Sequence, residues 1–152
     1  MKRKKIGDII EFRVRGGVAY ALYTHEHPEY GSLLRVWNRI HATGLADFEA
    51  LIQNEPSFSC FFPLGAALSR GIVKAAGNVT VPKSLAAFPT FRTGMVEPDG
   101  SVKTWWLWDG TSFSNAGSLT KAQMKLPRRG IWNDTLIIER IEQGWTDATA
   151  SN

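Results

Sequence analysis

The sequence contains little of what disulfide-linked or membrane-inserted proteins need. One cysteine, Cys60, occurs among the 152 residues. A single cysteine excludes a disulfide within the chain and favours a reducing compartment, although a disulfide between two chains stays open. No run of about 18 apolar residues occurs, and the apolar stretch at 61–68 is interrupted by Pro63 and Gly65. These absences predict a soluble protein with no membrane partner.

A secretory signal peptide is also not indicated. Residues 1–5, MKRKK, have the positive charge of such a peptide, but Gly7, Asp8 and Glu11 fall where its apolar segment would lie. We therefore expect a cytoplasmic location. We also expect residues 1–5 to form a basic disordered tail, residues 6–146 a single globular domain, and residues 147–152 a second disordered tail.

The excess of positive charge is confined to the first five residues. The chain has 18 Lys and Arg residues against 14 Asp and Glu residues. Lys2, Arg3, Lys4 and Lys5 supply the whole difference, so the rest of the chain is formally neutral. Four charges alone make weak, salt-sensitive contacts with phosphates, so nucleic acid is not the favoured partner. A small nucleic-acid-binding domain that uses this tail is the alternative function.

The local motifs of several enzyme classes are missing. The chain has no Gly-x-Ser-x-Gly elbow, Walker loop, His-Glu-x-x-His helix, EF-hand loop or Cys-x-x-Cys pair. Cys60 lies among Phe58, Phe61 and Phe62, which is typical of a buried apolar residue and not of a thiol nucleophile. We therefore predict no catalytic residues and no cofactor, and we expect that the protein is not an enzyme.

The chain is rich in alternating apolar sequence that is divided by turn signals. Residues 8–15 place Ile10, Phe12 and Val14 on one side of a strand, and Gly16-Gly17 predicts a tight turn into a second strand over 18–25. A loop is expected over 25–32. Further strands are predicted over 33–38, 56–62, 72–81, 90–96, 101–108 and 111–114.

Helical spacing occurs in shorter segments. Helices are predicted over 45–54, 63–70, 119–126 and 133–143, the last with Asn133 or Asp134 as its N-cap. Tight turns between strands and few helices indicate an α+β fold. We expect a mainly antiparallel, strongly bent β-sheet or partial barrel with a few short helices and a C-terminal helix. The glycine fingerprint of a dinucleotide-binding parallel sheet is missing.

Three of the six tryptophans lie in the segment WWLWDG at 105–110. On a strand, Trp106 and Trp108 share one face while Trp105 and Leu107 share the other, so neither face suits solvent. The segment therefore predicts a central strand that is covered on both sides. The alternative is that Trp108, beside Asp109 at the strand end, reaches the surface and anchors a partner.

The segment HEHPEY at 25–30 is a cluster of metal-ligand residue types. If the segment is extended, His25 and His27 lie on one side and could chelate zinc. The chain has three histidines and no second ligand pair, which favours an exposed polar loop without a metal. A metal-dependent hydrolase built on His25, His27 and Glu29 is the least favoured alternative. The candidate partner-binding residues are His25, Glu26, His27, Glu29, Tyr30, Trp108 and Asp109.

Two early segments, KIGDIIEF at 5–12 and GVAYAL at 17–22, resemble the opening of bacterial immunity proteins of the immunity protein 26 family. Members of that family begin with a Lys-x-Gly-Asp strand, followed by a strand that contains an Ala-Tyr pair. The segments FFPLG at 61–65 and WWLWDG at 105–110 are also similar to segments in proteins of this kind.

The resemblance implies that residues 6–146 form an immunity-like domain. Such a domain binds a cognate protein toxin and neutralises it by occluding its active surface, with contacts concentrated in Trp, Tyr and Arg side chains. Inhibitors of nucleic-acid-cleaving toxins usually present an acidic face, whereas this body is neutral. The class of toxin therefore stays open. The sequence does not indicate the oligomeric state.

Overall fold

The fold has eight strands, three α-helices and three short 3₁₀-helices within residues 3–149, which are the residues that the computed structural model describes. The strands are β1 (Asp8–Val14), β2 (Gly17–His27), β3 (Gly31–His41), β4 (Phe58–Phe62), β5 (Lys74–Asn78), β6 (Phe91–Val96), β7 (Val102–Trp108) and β8 (Phe113–Gly117). The helices are α1 (Glu49–Ile52), α2 (Leu64–Ser69) and α3 (Asp134–Glu142), with 3₁₀ turns at Lys83–Leu85, Gln123–Lys125 and Asp147–Thr149.

The strands form two antiparallel sheets. The larger has the order β4-β3-β2-β1-β5, and the smaller has the order β6-β7-β8. The predicted hairpin between β1 and β2 is confirmed, with Val14 opposite Gly17. Gly17 has φ +147°, and a Cβ there would overlap the carbonyl oxygen of His41, so only glycine fits this turn. The mainly antiparallel α+β fold is likewise confirmed.

Residues 127–132, which we call the bridging segment, connect the two sheets through main-chain hydrogen bonds. On the small sheet, Arg92 N donates to Pro127 O (2.8 Å) and Arg129 N donates to Arg92 O (3.0 Å). On the large sheet, Phe61 N donates to Gly130 O (3.1 Å) and Trp132 N donates to Phe61 O (2.8 Å). The bridging segment thus runs parallel to β6 and then to β4. The two sheets therefore behave as one strongly bent sheet.

The two faces of the large sheet are covered in different ways. One face packs against α2 and α3, where Ile137 and Ile141 are buried, in a core that includes the predicted buried thiol of Cys60. The other face carries two separate apolar clusters. One of these surrounds Tyr20 and Trp37 beneath α1, and the other surrounds Phe61 and Trp108 beneath the small sheet.

The C-terminal helix α3 begins where its capping residue predicts. The Asn133 side chain accepts a hydrogen bond from Leu136 N at 2.8 Å, which satisfies one of the open N–H groups of the first turn. Trp132 and Trp145 flank the helix and pack against Phe58, with ring centroids 5.4 and 5.6 Å away. Apolar packing at both ends therefore adds to the cap.

Two predicted helices are shorter than their sequence patterns. The segment 45–54 is helical only over Glu49–Ile52, and the segment 119–126 only as the 3₁₀ turn Gln123–Lys125. Met124 in the second segment is 46% exposed. Because short helices are stabilised mainly by burying an apolar face, little packing energy is available here to extend a full α-helix.

The predicted loop over 25–32 is also wrong, because the ladder between β2 and β3 continues into it. His27 pairs with Gly31, which has φ +88°, so only three residues remain for the turn. The tail expected from residue 147 differs as well: Asp147–Thr149 forms a 3₁₀ turn, with Asp147 N bonded to Ser57 O. In the tail expected over residues 1–5, Lys5 N donates to Asp8 Oδ2 and Lys4 Nζ donates to Glu26 Oε1. The remaining expected tail residues, 1–2 and 150–152, lie outside the described residues.

Within the described part of the chain, no helix is long and apolar enough to cross a membrane.

Candidate partner-binding surface

An aromatic cluster joins the end of β2 to the small sheet. It surrounds the His27 ring and consists of Tyr30, Phe61, Phe88, Phe91 and Trp108. The His27 ring centroid lies 5.1 Å from that of Trp108 and 5.2 Å from that of Tyr30, and the Tyr30 and Trp108 centroids are 5.0 Å apart. Three of the predicted binding residues thus meet in one place, although the sequence separates them by about 80 positions.

His27 holds this cluster together because both of its ring nitrogens form hydrogen bonds. Nδ1 accepts from the backbone N–H groups of Glu29 (3.1 Å) and Tyr30 (3.2 Å), so it carries no hydrogen itself. Nε2 therefore holds the ring hydrogen and donates it to Gly110 O at 2.8 Å. His27 is 9% exposed and ties the turn after β2 to the turn after β7. Its role in the structure is to position these two turns.

Trp108 is buried, as the core interpretation of this segment predicts, and the alternative in which it reaches the surface as an anchor is wrong. Its side chain is 3% exposed, because the Phe61, Phe88 and Phe91 rings cover it. The expected coverage of both faces of β7 is also wrong, since Trp106 is 40% exposed. Trp106 lies on the same face of β7 as Trp108. It pairs with Thr93, however, in a part of the small sheet that lies beyond the residues that pack on the large sheet.

The surface beside the cluster is an exposed aromatic face, which we define as the exposed Trp106 and Phe113 together with the partly exposed Tyr30 and Arg129. Phe113 pairs with Trp108 across β7 and β8 and is 52% exposed. The Arg129 guanidinium carbon lies 5.2 Å from the Tyr30 ring centroid and 5.1 Å from that of Phe113. Cation–π contacts of this length orient the arginine between the rings.

Two of the other predicted residues, Asp109 and Glu29, lie in turns beside this aromatic region. Asp109 Oδ1 accepts from the backbone N–H groups of Thr111 (2.9 Å) and Ser112 (2.8 Å), and these bonds, with that from Ser112 first, lower the pKa of this exposed carboxyl. Glu29 is exposed in the other turn that His27 holds. Both carboxylates therefore belong to a polar border of the aromatic region.

His25 lies on the same side of β2 as His27, as the sequence predicts. Its Nε2 donates to Ala86 O (2.9 Å), its Nδ1 bonds to Thr24 Oγ1 (2.8 Å), and its ring packs edge-on to Phe88. Burial lowers the pKa of His25, and Arg35 adds to the effect while the Ala86 carbonyl opposes it. Within residues 3–149, no three His, Cys, Asp or Glu side chains are grouped closely enough to hold a metal ion.

Glu26 is the predicted residue that the structure separates from the others. It accepts hydrogen bonds from Tyr23 Oη (2.6 Å), Ser32 Oγ (2.9 Å) and Lys4 Nζ (3.1 Å). Burial acts to raise the pKa of Glu26, but these three bonds outweigh it and lower the pKa. Lys4 therefore forms an ion pair with Glu26. This pairing reduces the positive charge with which the basic tail could contact phosphates.

A second polar region lies on the same face of the large sheet, in a cavity of about 460 Å³. Arg35 and Asp147 both line it, and Asp147 Oδ2 accepts from Ser59 N at 3.3 Å. Burial raises the pKa of Asp147 to about 8, while the Ser59 N–H, Arg92 and Arg35 act to lower it. The sequence did not indicate this region, because Arg35 and Asp147 are over 100 residues apart and neither belongs to a motif.

The raised pKa of Asp147 predicts a pH-dependent stability. The folded protein holds a proton on Asp147 up to about pH 8, whereas an unfolded aspartate releases it near about pH 4. The folded state therefore binds more protons in this window, and this contribution to the free energy of unfolding is full below about pH 4 and is lost as the pH rises to about 8. We expect Asp147→Asn (D147N) to remove this component in urea denaturation between these pH values.

The stability difference between D147N and wild type isolates the effect, because every other ionisable group is common to both proteins. We expect this difference to shift in favour of D147N as the pH rises through the window. Asp99→Asn is the matched control, since Asp99 is exposed in a turn and hydrogen bonds from Ser101 lower its pKa. A D147N difference as flat as that of Asp99→Asn would contradict the prediction.

Comparisons of the chain with protein-family models, with curated proteins and with solved structures found no match. The geometry itself defines a bent antiparallel sheet with an exposed aromatic face at one end and a polar cavity nearby. Sequence reasoning missed Trp106, Phe113 and Arg129 as surface residues. The dipeptide Arg128-Arg129 between Pro127 and Gly130 was the one local signal, since arginine in a short irregular segment often serves an interface.

Proposed function

We propose that the protein is an immunity-type binding protein that neutralises a cognate bacterial toxin by occluding it. The observation that carries the proposal is the exposed aromatic face, with Trp106 40% and Phe113 52% exposed beside Arg129. Leaving such side chains in water is costly for a protein that does not cover them with a partner. The resemblance of the first two strands to immunity proteins supports the same conclusion.

The composition of the face suits a protein partner. Trp, Tyr and Arg are the residues most enriched among those that dominate binding energy, and Lys is depleted there. Arg129 is already held against the Tyr30 and Phe113 rings, so little side-chain entropy is lost when a partner arrives. Exposed Glu29 and Asp109 provide a polar border.

The scaffold beneath the face is rigid. Trp106 lies on β7, the central strand of the small sheet, and Phe113 begins the neighbouring strand β8. The bridging segment and the aromatic cluster fix this sheet to the large one. A preorganised surface of this kind blocks a toxin by shape and contact, which needs no reacting group on the inhibitor.

Truncation of the exposed tryptophan tests the surface. We expect Trp106→Ala (W106A) to weaken binding to the cognate toxin by about 2 kcal/mol, or about 30-fold in Kd, because a central tryptophan is removed. Isothermal titration calorimetry measures the change. Ile72→Ala is the matched control, because Ile72 is 41% exposed but follows α2, away from the small sheet, and should leave the Kd unchanged.

A cell-survival assay distinguishes the proposed function from the proposed binding surface. Cells that co-express the wild-type protein should survive the toxin, and W106A should reduce that protection while its unfolding curve stays near that of wild type. If the wild type gives no protection and binds no toxin, the proposed function is wrong. If protection persists but W106A, Phe113→Ala and Arg129→Ala all bind normally, the aromatic face is not the interface.

A further inference from the structure

The cavity lined by Arg35 lies between the two apolar clusters of one sheet face. Along β3, Leu33, Arg35 and Trp37 alternate onto this face. Leu33 belongs to the cluster around Trp108, and Trp37 belongs to the cluster around Tyr20. Arg35 is thus a charged residue in the middle of a layer that is otherwise apolar, and it is 6% exposed.

Arg35 has fewer partners than a buried guanidinium requires. Its Nε donates to Thr24 Oγ1 at 3.2 Å and its Nη2 to Ala87 O at 3.4 Å, which is a long bond. Within residues 3–149, Nη1 forms no hydrogen bond and no carboxylate oxygen lies within 4.0 Å of the group. Burial lowers the pKa of Arg35 to about 10, although Asp147 opposes the effect. The side chain therefore remains a cation with an open donor.

A buried cation without a counter-ion is costly, and an anion that enters the cavity removes that cost. Arginine is suited to this task, because its planar fork matches the two oxygens of a carboxylate. Ser59 lies opposite Arg35 on β4 and lines the same space, so it adds a second polar group at the cavity floor. The floor can therefore hold a carboxylate group.

The other residues that line the cavity determine which kind of molecule can carry the carboxylate. Several apolar residues form the walls, namely Pro56, Leu85, Pro89, Leu126 and Pro127. Lys125 and Glu55 are exposed at the cavity and carry opposite charges. Asp147 also lines the cavity and keeps its proton up to about pH 8. Because Glu55 offsets Lys125, the site at neutral pH offers one uncompensated positive charge, on Arg35, and favours a monoanion over a phosphate dianion.

We propose that this cavity binds a small organic carboxylate, with its carboxylate on Arg35 Nη1 and Ser59 and its apolar body along Leu85 and Leu126. The acid can be a free metabolite or the C-terminal carboxylate of a peptide, since both present the same group. The proposal does not depend on toxin binding. Trp106 and Phe113 of the exposed aromatic face lie on the small sheet, whereas the floor of this cavity lies on β3 and β4.

The probes are matched pairs that differ in charge. Hexanoate is compared with hexanamide, and a short peptide that ends in leucine is compared with its C-terminal amide, by NMR titration of the folded full-length chain. We expect hexanoate to shift the backbone amide signals of Arg35, Ser59 and Asp147, and hexanamide to bind at least about tenfold more weakly. A peptide preference over hexanoate identifies a chain terminus as the source of the carboxylate, and the reverse identifies a free acid.

Variants test the charge arrangement. We expect Arg35→Met to weaken hexanoate binding by about 30-fold or more, whereas Arg13→Met, at an exposed site on β1, leaves it unchanged. At the rim, Glu55→Gln should strengthen binding and Lys125→Gln should weaken it, each by about threefold. These two exposed substitutions keep the test decisive if Arg35→Met does not fold.

The proposal is overturned by any of three results. The first is no signal change at concentrations well above about 1 mM hexanoate, where small fragments bind. The second is equal binding of hexanoate and hexanamide. The third is tighter binding of inorganic phosphate than of either acid. Loss of carboxylate binding with intact toxin neutralisation would leave the proposed function standing, because the two experiments use different ligands.

Discussion

Replacing Phe61 with alanine (F61A) is expected to lower the free energy of unfolding by about 3–5 kcal/mol. The Phe61 side chain is fully buried, and its ring lies within about 6 Å of those of Tyr30, Phe88, Phe91 and Trp108. Its removal leaves a cavity at the centre of the aromatic cluster. Its main-chain groups also bond to the bridging segment, so the surrounding structure cannot easily collapse into the space.

Urea denaturation followed by circular dichroism measures this loss. Phe113→Ala is the matched control, because it removes the same side chain at a position that is 52% exposed, and it should cost about 1 kcal/mol or less. The pair also separates stability from binding, since Phe113→Ala should affect the proposed binding surface more than the fold. Equal losses for the two variants would contradict the packing that we describe.

The second large effect concerns Arg92, which is buried completely on β6. We expect Arg92→Ala (R92A) to cost about 3–5 kcal/mol. The guanidinium donates from Nε to Leu126 O at 2.9 Å and from Nη2 to Asp147 O at 3.1 Å, and it stacks 5.0 Å from the Trp105 ring centroid. Its removal leaves two partly buried carbonyls without these donors and a void beside the indole.

Denaturation and hydrogen exchange together locate the damage. R92A should lower global stability, and it should also speed amide exchange at Asp147, which Arg92 holds to the small sheet. Arg13→Ala provides the control, since Arg13 is exposed on β1 and should stay within about 0.5 kcal/mol of wild type. If R92A is as mild as Arg13→Ala, the buried guanidinium is not a structural link.

Local sequence signals predicted the parts of the fold that depend on neighbouring residues. The Gly16-Gly17 turn, the central position of β7 and the Asn133 cap were all correct, because turn geometry, alternation and capping act over a few residues. His25 and His27 were correctly placed on one side of β2 for the same reason. Strand ends were less accurate, since pairing with a distant strand decides where a ladder stops.

The parts that could not be predicted depend on long-range contacts. Alternation places Trp106 and Trp108 on one face, but only the position of the large sheet decides that Trp108 is covered and Trp106 is not. Buried arginines give no local signal either. Arg35 and Arg92 lie on strands whose local sequence does not mark them as buried, and their contacts include segments that lie 34 or more residues away in the sequence.

The bridging segment has a consequence for how the exposed aromatic face can change over evolutionary time. Its links to both sheets are made by main-chain groups at Arg92 and Phe61, and main-chain groups are the same for nearly every amino acid. Exposed side chains on β7 and β8 can therefore be exchanged without altering the angle at which the small sheet is presented. Substitutions on that surface are therefore expected to change its chemistry while the backbone arrangement of the two sheets stays constant.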